Sequence, residues 1–346
     1  PGSDDGRVRM AGAMRGGVVL VAALGALLAV ARPAGAVVTV PVRLTEFTSG
    51  ITNECPIPDL VLGPDGNVWF AEYANHAIGR VTPGGQVTEI STGDDGDAWG
   101  LPGSVTVGPD GHIWFVTLSG RIGRMSTRGQ PTLFSDGITG FQGELASYSD
   151  VSAVQPPSIA RGRDGNLWFT ELGATIGRIT PGGQVAEFSE GITDVPMTTS
   201  DQLLPLGRFG GITGGPDGNV WFTELRGAIG RITPQGQVAE YAAGISPGAV
   251  PQSIVAGPDG NLWFTELFGG RIGRITPQGL VTEFPVGAGS APQGIDVGPD
   301  GALWFAARGA RSLGRITPQG SLRLYAHPDN PDWQPSAVTA GTGSLV

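Results

Sequence analysis

Four glutamates stand at one position of a repeated phrase, and carboxylates in such a set could do chemistry. The phrase reads Trp-Phe-Thr-Glu or Trp-Phe-Ala-Glu, and its glutamates are Glu72, Glu171, Glu224 and Glu266. Carboxylate oxygens are the ligands that Mg²⁺ and Ca²⁺ prefer. If these side chains converge, they predict a metal site with Mg²⁺ as the cofactor. The alternative is structural: each glutamate would accept hydrogen bonds from an arginine of its own or a neighbouring repeat.

Two other copies of the phrase lack the glutamate, and they favour the structural alternative. Thr117 and Ala307 stand in its place. The same copies carry Leu133 and Leu324 where the others have a second glutamate further along the chain. Because these two repeats lack both glutamates, we expect the two glutamates of the other repeats to belong to one hydrogen-bond network around an arginine.

Histidines are the second set of candidate catalytic residues, and the chain has three of them. Histidine is the side chain that most readily accepts a proton near neutral pH. His76 and His327 are predicted on the same face of the molecule as the glutamates, in neighbouring repeats, so they are candidate bases. The alternative is that both are solvated loop residues. His112 follows a turn on the opposite face and is interpreted as incidental.

The spacing of the repeats predicts the scaffold that positions these residues. Six tryptophans, from Trp69 to Trp304, are separated by 45, 54, 53, 42 and 41 residues. A period of about 40–45 residues built from short strands and Gly/Pro turns is typical of a β-propeller. We predict an all-β, seven-bladed propeller of four-stranded antiparallel blades. Its seventh blade would combine residues 37–47 and 335–346 and close the ring; six blades with two frayed ends is the alternative.

The turns of each repeat predict how its strands pair. If Gln235-Gly236 is a two-residue turn, Arg231 lies directly opposite Glu240. The Ile-Gly-Arg arginines are therefore interpreted as structural. The same register pairs three other arginines with glutamates: Arg80 with Glu89, Arg178 with Glu187, and Arg274 with Glu283.

The long connections between repeats predict where a ligand would bind. They span residues 91–102, 135–157 and 189–209, they are rich in Asp and Glu, and they lie on the face where the second strands end. Long loops on a rigid scaffold commonly carry function. This acidic loop face is the predicted binding face.

Composition excludes several classes of function. The chain has 346 residues, 21 Lys+Arg and 31 Asp+Glu, for a net charge of −10, and it contains no lysine. An acidic chain is a poor nucleic-acid binder, because phosphates need a basic face. Schiff-base chemistry is excluded. The single Cys55 cannot form an intramolecular disulfide.

The first 36 residues are interpreted as a signal peptide with its N-terminal extension. Arg15 precedes an apolar run over residues 16–31, and Ala34-Gly35-Ala36 is a small-residue cleavage motif. The run is shorter than the ~20 apolar residues that a membrane span needs, although an uncleaved anchor is the alternative. We therefore expect a secreted monomer with one domain, residues 37–346, and no membrane span after cleavage near Ala36.

The blade phrase resembles the streptogramin B lyase (virginiamycin B lyase) family. The similarity is clearest at residues 221–241 and 263–284, where Trp-Phe-Thr-Glu is followed by Ile-Gly-Arg-Ile-Thr-Pro, and it covers about residues 40–346. It implies a seven-bladed propeller that opens cyclic depsipeptides by Mg²⁺-assisted elimination across an ester bond. Such a reaction needs a base for the α-proton and an electrophile for the carbonyl oxygen, a role that a metal can fill.

Three functions are compatible with these observations. The first is the lyase, with His76 or His327 as base and the four glutamates around Mg²⁺. The second is a secreted recognition propeller that binds a small molecule, peptide, glycan or cell-wall component without turnover. The third is a propeller lactonase, which ranks last because only Asp59 matches the acidic ligands expected on the innermost strands. No histidine occurs where the innermost strands begin, at residues 58–59, 102–103, 157–158, 210–211, 252–253 and 293–294.

Overall fold

The computed structural model describes the repeats and part of both ends of the chain. The described residues are 18–22, 43–47, 51, 57–73, 75–93, 100–139, 155–193, 208–327 and 329–340, the first two stretches as strands only. Every regular element in these residues is a β-strand. No helix among them is long and apolar enough to cross a membrane.

Six four-stranded antiparallel sheets form the blades of a propeller. In each blade the strands follow chain order from the innermost to the outermost, so every blade is a simple meander. The strands are β3 Leu60–Leu62, β4 Val68–Glu72, β5 Ala77–Val81 and β6 Val87–Ser91 in blade 1; β7 Pro102–Val107, β8 Ile113–Thr117, β9 Ile122–Ser126 and β10 Gly129–Phe134 in blade 2; β11 Ile159–Arg161, β12 Leu167–Thr170, β13 Ile176–Ile179 and β14 Val185–Phe188 in blade 3; β15 Phe209–Gly214, β16 Val220–Glu224, β17 Ala228–Ile232 and β18 Val238–Tyr241 in blade 4; β19 Pro251–Ala256, β20 Leu262–Glu266, β21 Arg271–Ile275 and β22 Val281–Pro285 in blade 5; β23 Pro292–Val297, β24 Leu303–Ala307, β25 Ser312–Ile316 and β26 Leu322–Ala326 in blade 6.

The repeated phrase is explained by how its aromatic residues pack. In blade 4, Trp221 Nε1 donates a 3.1 Å hydrogen bond to Asp217 Oδ1 in the Pro-Asp-Gly turn. Gly215 lies against that indole, since a Cβ there would be 2.4 Å from a ring carbon. The ring of Phe222 lies over Gly230, where a Cβ would meet it at 2.1 Å. The glycines of the phrase therefore leave room for the buried rings, and every blade repeats this arrangement.

The predicted pairing of the Ile-Gly-Arg arginines with glutamates is wrong by one residue. Arg231 lies opposite Ala239, and Glu240 lies opposite Gly230. The reason is the hairpin: Thr233 N donates to the Gln237 carbonyl at 2.9 Å, which leaves a three-residue loop where two were expected. The other three arginines are shifted in the same way, so that Arg80 pairs with Thr88, Arg178 with Ala186 and Arg274 with Thr282.

The arginines are nevertheless structural, as predicted, because they join neighbouring blades. Arg231 Nη1 donates to the Pro277 carbonyl of the next blade at 3.2 Å. Its guanidinium also lies over Trp221 and Tyr241, at 5.7 Å from each ring. Cation–π contacts of this kind contribute about 0.5–2 kcal/mol. The same carbonyl contact to the following blade is made by Arg80, Arg124, Arg178 and Arg274.

The innermost strands form a ring that the C-terminal segment completes. Strands β3, β7, β11, β15, β19 and β23 contact one another in that order. Residues 335–340 then continue the ring beside β23, where Gly294 N donates to the Ser336 carbonyl at 3.0 Å. Ser336 Oγ donates to the Ile57 carbonyl at 2.9 Å, just before blade 1. The segment therefore lies between blades 6 and 1 as a seventh innermost segment.

The predicted count of seven complete blades is wrong for the part of the chain that the structure describes, which has six. Arg43–Phe47, expected as the outer strand of blade 7, forms β2 and pairs with β1, Val18–Ala22. The physical reason is that the two fragments resemble only the first and last strands of a repeat. Neither contains the Trp-Phe or Ile-Gly-Arg phrases that build the two middle strands. Residues 37–42 and 341–346 lie outside the described residues.

Candidate functional site

The start of the innermost strands on the loop face carries a pair of amides that bridge two blades. Gln252 Nε2 donates to Gln155 Oε1 at 3.3 Å and so joins the starts of blades 5 and 3. Gln252 Oε1 is buried and has no hydrogen-bond partner. The backbone of Gln252 is fixed, because its carbonyl accepts a 2.7 Å bond from Thr223 Oγ1. Gly210 permits this approach, since a Cβ there would lie 2.2 Å from the same carbonyl.

Two of the five described non-glycine residues with a positive φ lie at the same level of the fold. Val250 and Ala291 have φ of 55° and 45°, and each directly precedes the proline that starts an innermost strand. A positive φ is a genuine outlier for a β-branched residue such as Val250. The innermost strands that follow these residues pair irregularly with the second strands of their blades. The register shifts between residues 251 and 254 and between residues 292 and 295. Strain of about 1–3 kcal/mol per residue is typical of functional sites.

Two half-buried aspartates lie deeper in the ring of innermost strands. Asp59 accepts hydrogen bonds from Ser104 Oγ at 2.5 Å and from the amides of Leu60 and Val105. Burial raises the pKa of Asp59 to about 6, and repulsion from Asp296 adds to the rise. Burial also raises the pKa of Asp296.

Asp296 holds the C-terminal segment in the ring. Its Oδ2 accepts bonds from Thr339 Oγ1 at 2.9 Å and from the Ala340 amide at 3.1 Å. Asp59 binds Ser104 and Val105 of the next innermost strand in the same manner. Each aspartate therefore joins two adjacent segments of the ring.

The four glutamates predicted as metal ligands lie in four different blades. Glu72, Glu171 and Glu224 are 6%, 2% and 5% exposed, and Glu266 is fully buried. Among the residues with described side chains, no group of three or more His, Cys, Asp or Glu could hold a metal ion. The Mg²⁺ site on these glutamates remains a prediction.

Three of these glutamates have a raised pKa, and the outer-strand glutamate of the same blade contributes to the rise in each case. Burial raises the pKa of Glu266 to about 8, with repulsion from Glu283 as the next cause. Burial and then Glu240 raise the pKa of Glu224 to about 7, although Arg208 Nη2 lies 3.5 Å away and opposes the shift.

Blade 1 repeats this arrangement. Burial raises the pKa of Glu72 to about 7, while a hydrogen bond from Asn75 opposes the rise and Glu89 favours it. The shared network predicted from the joint loss of two acids is therefore a pair of carboxyl groups. Arginines contact members of the pair in blades 4 and 5.

The three histidines occupy other places than the starts of the innermost strands. His112 lies at a turn, with Nδ1 3.2 Å from Asp110 Oδ2. His76 has φ of 50° in the β4–β5 hairpin, and its carbonyl accepts bonds from both Thr92 N and Thr92 Oγ1. These contacts give the His76 backbone a structural role.

His327 follows the outer strand of blade 6, and its Nδ1 is occupied. That nitrogen accepts the amides of Asp329 at 3.2 Å and Asn330 at 2.9 Å. The ring packs edge-on against Trp333 at 5.4 Å. Of the two nitrogens of His327, only Nε2 could serve the catalytic role predicted from the sequence.

Gln155, Gln252 and Asp296 are not predicted as site residues from the sequence. A signal was present, because Pro-Gln begins two innermost strands, at residues 251–252 and 292–293. The partner of Gln252 is 97 residues away in the chain, so nothing local indicates the contact.

Comparison with known proteins agrees with this architecture. The model of the Virginiamycin B lyase family matches residues 36–140 and 138–345. A virginiamycin B lyase from Nocardia farcinica is 33% identical over 186 residues, which are 53% of this chain and 54% of that protein. The match thus spans about half the length of this curated relative.

Solved structures extend the similarity to most of the chain. A streptogramin B lyase structure is 30% identical with a TM-score of 0.70, covering 88% of this chain and 93% of that one. A catalytically inactive histidine-to-alanine variant of virginiamycin B lyase from Staphylococcus aureus, solved with quinupristin, is 27% identical. Its TM-score is 0.67, covering 85% of this chain and 95% of that one.

Proposed function

Because the chain belongs to the virginiamycin B lyase family, we propose that it binds a cyclic depsipeptide or a similar peptide where its innermost strands begin. The observation that carries this proposal is the Gln155–Gln252 bridge with its buried, unpartnered Gln252 Oε1. Amide side chains donate and accept at once, so they suit the N–H and C=O groups of a peptide. The Staphylococcus aureus relative solved with quinupristin supports this class of ligand.

The charge of the protein further restricts the class of ligand that it is expected to bind. The chain has a formal net charge of −10, and the long connections assigned to the loop face are rich in Asp and Glu. A field of one sign attracts ligands of the opposite sign and disfavours anions. A neutral or cationic peptide is therefore the expected ligand, in preference to an anionic glycan or a nucleic acid.

Metal-assisted elimination of the depsipeptide ester is the second candidate. It would use His76 or His327 as base and Mg²⁺ held by glutamates from the set Glu72, Glu171, Glu224 and Glu266. Family membership favours it, and the inactive relative with its substituted histidine indicates that a histidine matters for that protein's catalysis. This chain has three histidines, and all of them lie outside the innermost strands. We therefore place recognition ahead of turnover.

Titration with quinupristin separates the two candidates. Calorimetry would report binding, and mass spectrometry of the same mixture would report ring opening, with Mg²⁺ or with EDTA. Recognition predicts binding that is unaffected by EDTA and antibiotic that is recovered intact. Elimination predicts a ring-opened product of unchanged mass that requires Mg²⁺, whereas hydrolysis would add the mass of one water. Neither binding nor product would reject both candidates.

A matched pair of variants locates the binding. Gln252→Ala removes one amide at the proposed site, and we expect quinupristin binding to weaken about two- to tenfold, the value of one or two hydrogen bonds. Gln278→Ala removes an amide from the Pro-Gln-Gly hairpin turn of blade 5 and should leave the affinity unchanged. Equal effects of the two substitutions would contradict the proposed location.

Secretion is a further part of the proposal, with cleavage near Ala36. The apolar run of residues 16–31 and the Ala34-Gly35-Ala36 motif support it. N-terminal sequencing of protein recovered from the culture medium would test it. A start near Val37 is expected, and an intact N-terminus on cell-associated protein would contradict it.

A further inference from the structure

Phe268 is an exposed aromatic residue on the loop face, beside the proposed peptide site. It stands in the hairpin of residues 267–270 between β20 and β21 and is 53% exposed. The hairpin lies on the loop face because its backbone bonds to the connections that enter and leave blade 5, at residues 249–250 and 286–287. Single exposed apolar residues are common on protein surfaces, so exposure alone assigns no role to Phe268.

The backbone of this hairpin is fixed from both sides. Each of the four amides at residues 267–270 donates a hydrogen bond to a backbone carbonyl, at 3.0–3.2 Å. Two of these amides, those of Phe268 and Gly269, share the carbonyl of Ala249. On the other side, the carbonyl of Gly270 accepts the amides of residues 286 and 287, at 2.9 and 3.1 Å. The backbone that carries the exposed ring is therefore positioned before a ligand arrives.

Blade 6 shows that the hairpin does not need the aromatic ring. Gly309 occupies the position of Phe268, two residues after the end of the second strand. The amides of Gly309 and Ala310 donate to the Ser290 carbonyl at 2.9 and 3.2 Å, as the corresponding amides of blade 5 donate to Ala249. The same backbone thus forms without a side chain at this position. Exposing the ring of Phe268 to water is unfavourable unless a ligand covers it.

The hairpin is joined to the residues that carry the proposed amide site. Ala249, whose carbonyl holds the Phe268 amide, is three residues before Gln252. Val250, between them, has φ of 55°, and its carbonyl accepts the Leu267 amide at 3.0 Å. Three residues of chain span at most about 10 Å. A peptide of three or four residues is therefore long enough to contact Gln252 and Phe268 together.

A phenyl ring and an amide recognise different parts of a peptide. The amide of Gln252 suits a backbone N–H or C=O group, because it both donates and accepts. A phenyl ring offers a large apolar area, against which aliphatic and aromatic side chains pack. Aromatic side chains have only two torsions, so holding one against a ligand costs little conformational entropy.

We propose that Phe268 is a specificity-determining residue that packs against an apolar side chain of the bound peptide. This inference rests on the proposed function, because the peptide is the one that Gln252 contacts. It adds that the protein prefers peptides with an aliphatic or aromatic side chain about three residues from the peptide group at Gln252. A peptide with only small polar side chains would keep the amide contact and lose the contact with the ring.

Calorimetric titration of variants of the full chain with quinupristin tests the proposal. Phe268→Ala introduces the residue that blade 1 has at this position, Ala74, and should weaken binding about five- to fiftyfold, the value of covering an aromatic ring. Its heat-capacity change of binding should be less negative, because less apolar surface is buried. Phe268→Tyr keeps the ring and should bind within about twofold of the wild type.

Leu280→Ala is the matched control. Leu280 is 70% exposed in the same blade, in the turn on the opposite face, so its loss should leave both the affinity and the heat-capacity change unchanged. If Phe268→Ala unfolds at a lower temperature than Leu280→Ala, Phe268→Gln keeps the length of the side chain without the ring and carries the same expected loss of binding.

The possible results separate this inference from the proposed function. Wild-type binding with equal affinities of Phe268→Ala and Leu280→Ala would overturn the role of Phe268 and leave the proposed function standing. Weaker binding by Phe268→Ala with an unchanged heat-capacity change, or binding by Phe268→Tyr as weak as by Phe268→Ala, would also overturn it. No binding by the wild type would overturn both.

Discussion

The stability of the protein should fall as the pH rises from mildly acidic to mildly alkaline values. The pKa is raised to about 6 for Asp59, to about 7 for Glu72 and Glu224, and to about 8 for Glu266. Groups whose folded pKa exceeds the unfolded value hold protons that the unfolded chain has lost. Their stabilising contribution is complete below the unfolded pKa and disappears as the pH passes the folded pKa.

The magnitude follows from proton linkage. For each group that keeps its proton only in the folded state, the free energy of unfolding falls by about 1.4 kcal/mol per pH unit as the pH rises from the unfolded pKa to the folded pKa. Allowing for solvent screening and for coupling within the pairs, we expect a net decline of about 2–4 kcal/mol between pH 6 and pH 8. For a chain of this size, 1 kcal/mol shifts Tm by about 2–4 °C.

Acid should also destabilise the protein, so the profile has a maximum. The pKa values of Glu283, Asp259 and Asp300 are lowered, chiefly by hydrogen bonds that overcome the opposing effect of burial. Their contribution is present above the unfolded pKa and is lost as the pH falls through the folded pKa. The expected maximum therefore lies near pH 5, between the two sets of groups.

Urea unfolding at a series of pH values measures this profile. Glu224→Gln removes one titrating group while preserving a hydrogen-bond donor, so its decline above pH 6 should be shallower than that of the wild type by about 1 kcal/mol. Leu133→Gln in blade 2, which has no acid pair, is the control and should parallel the wild type. Stability that rises from pH 5 to pH 8, or a Glu224→Gln profile parallel to the wild type, would refute the reasoning.

Three substitutions test the blade architecture by urea unfolding. Gly230→Ala would press a methyl group into the Phe222 ring and should destabilise by about 1–3 kcal/mol; an unchanged midpoint would contradict the packing. Arg231→Met removes the bond to the Pro277 carbonyl in the next blade and should cost about 1–2 kcal/mol, so a neutral result would make that contact incidental. Asp296→Ala frees the C-terminal segment and should hasten its proteolysis, and equal cleavage rates would argue against its place in the ring.

The blades could be predicted from sequence because their determinants are local. The Asp217 turn, the Trp221 indole and the glycine beneath it lie within seven residues of one another, so the repeat shows the whole unit. Pairing was missed by one residue because the hairpin around Gly236 has a third loop residue, which composition does not reveal. The joint loss of two acids indicated that the two acids interact, and the arginine expected between them is seen beside the pairs of blades 4 and 5.

The candidate site could not be predicted in the same way, because its contacts are between distant residues. Gln252 meets Gln155 only once the ring has brought blades 3 and 5 together. The rarity and chemistry of histidine make His327 a candidate base in the sequence, but the bonds that its Nδ1 accepts depend on a local turn. The prediction of a seventh blade depends on residues 37–47 and 335–346, which resemble the last and the first strand of a repeat. Such a resemblance gives no information about the two middle strands, which these fragments do not contain.

A crystal structure of the protein with quinupristin tests the proposed binding site most directly. We predict that the cyclic depsipeptide lies intact over the starts of the innermost strands, with a backbone N–H within hydrogen-bond distance of Gln252 Oε1. A ligand bound elsewhere, or an opened ring beside a metal ion held by Glu72, Glu171, Glu224 or Glu266, would contradict the assignment of this face as a recognition site.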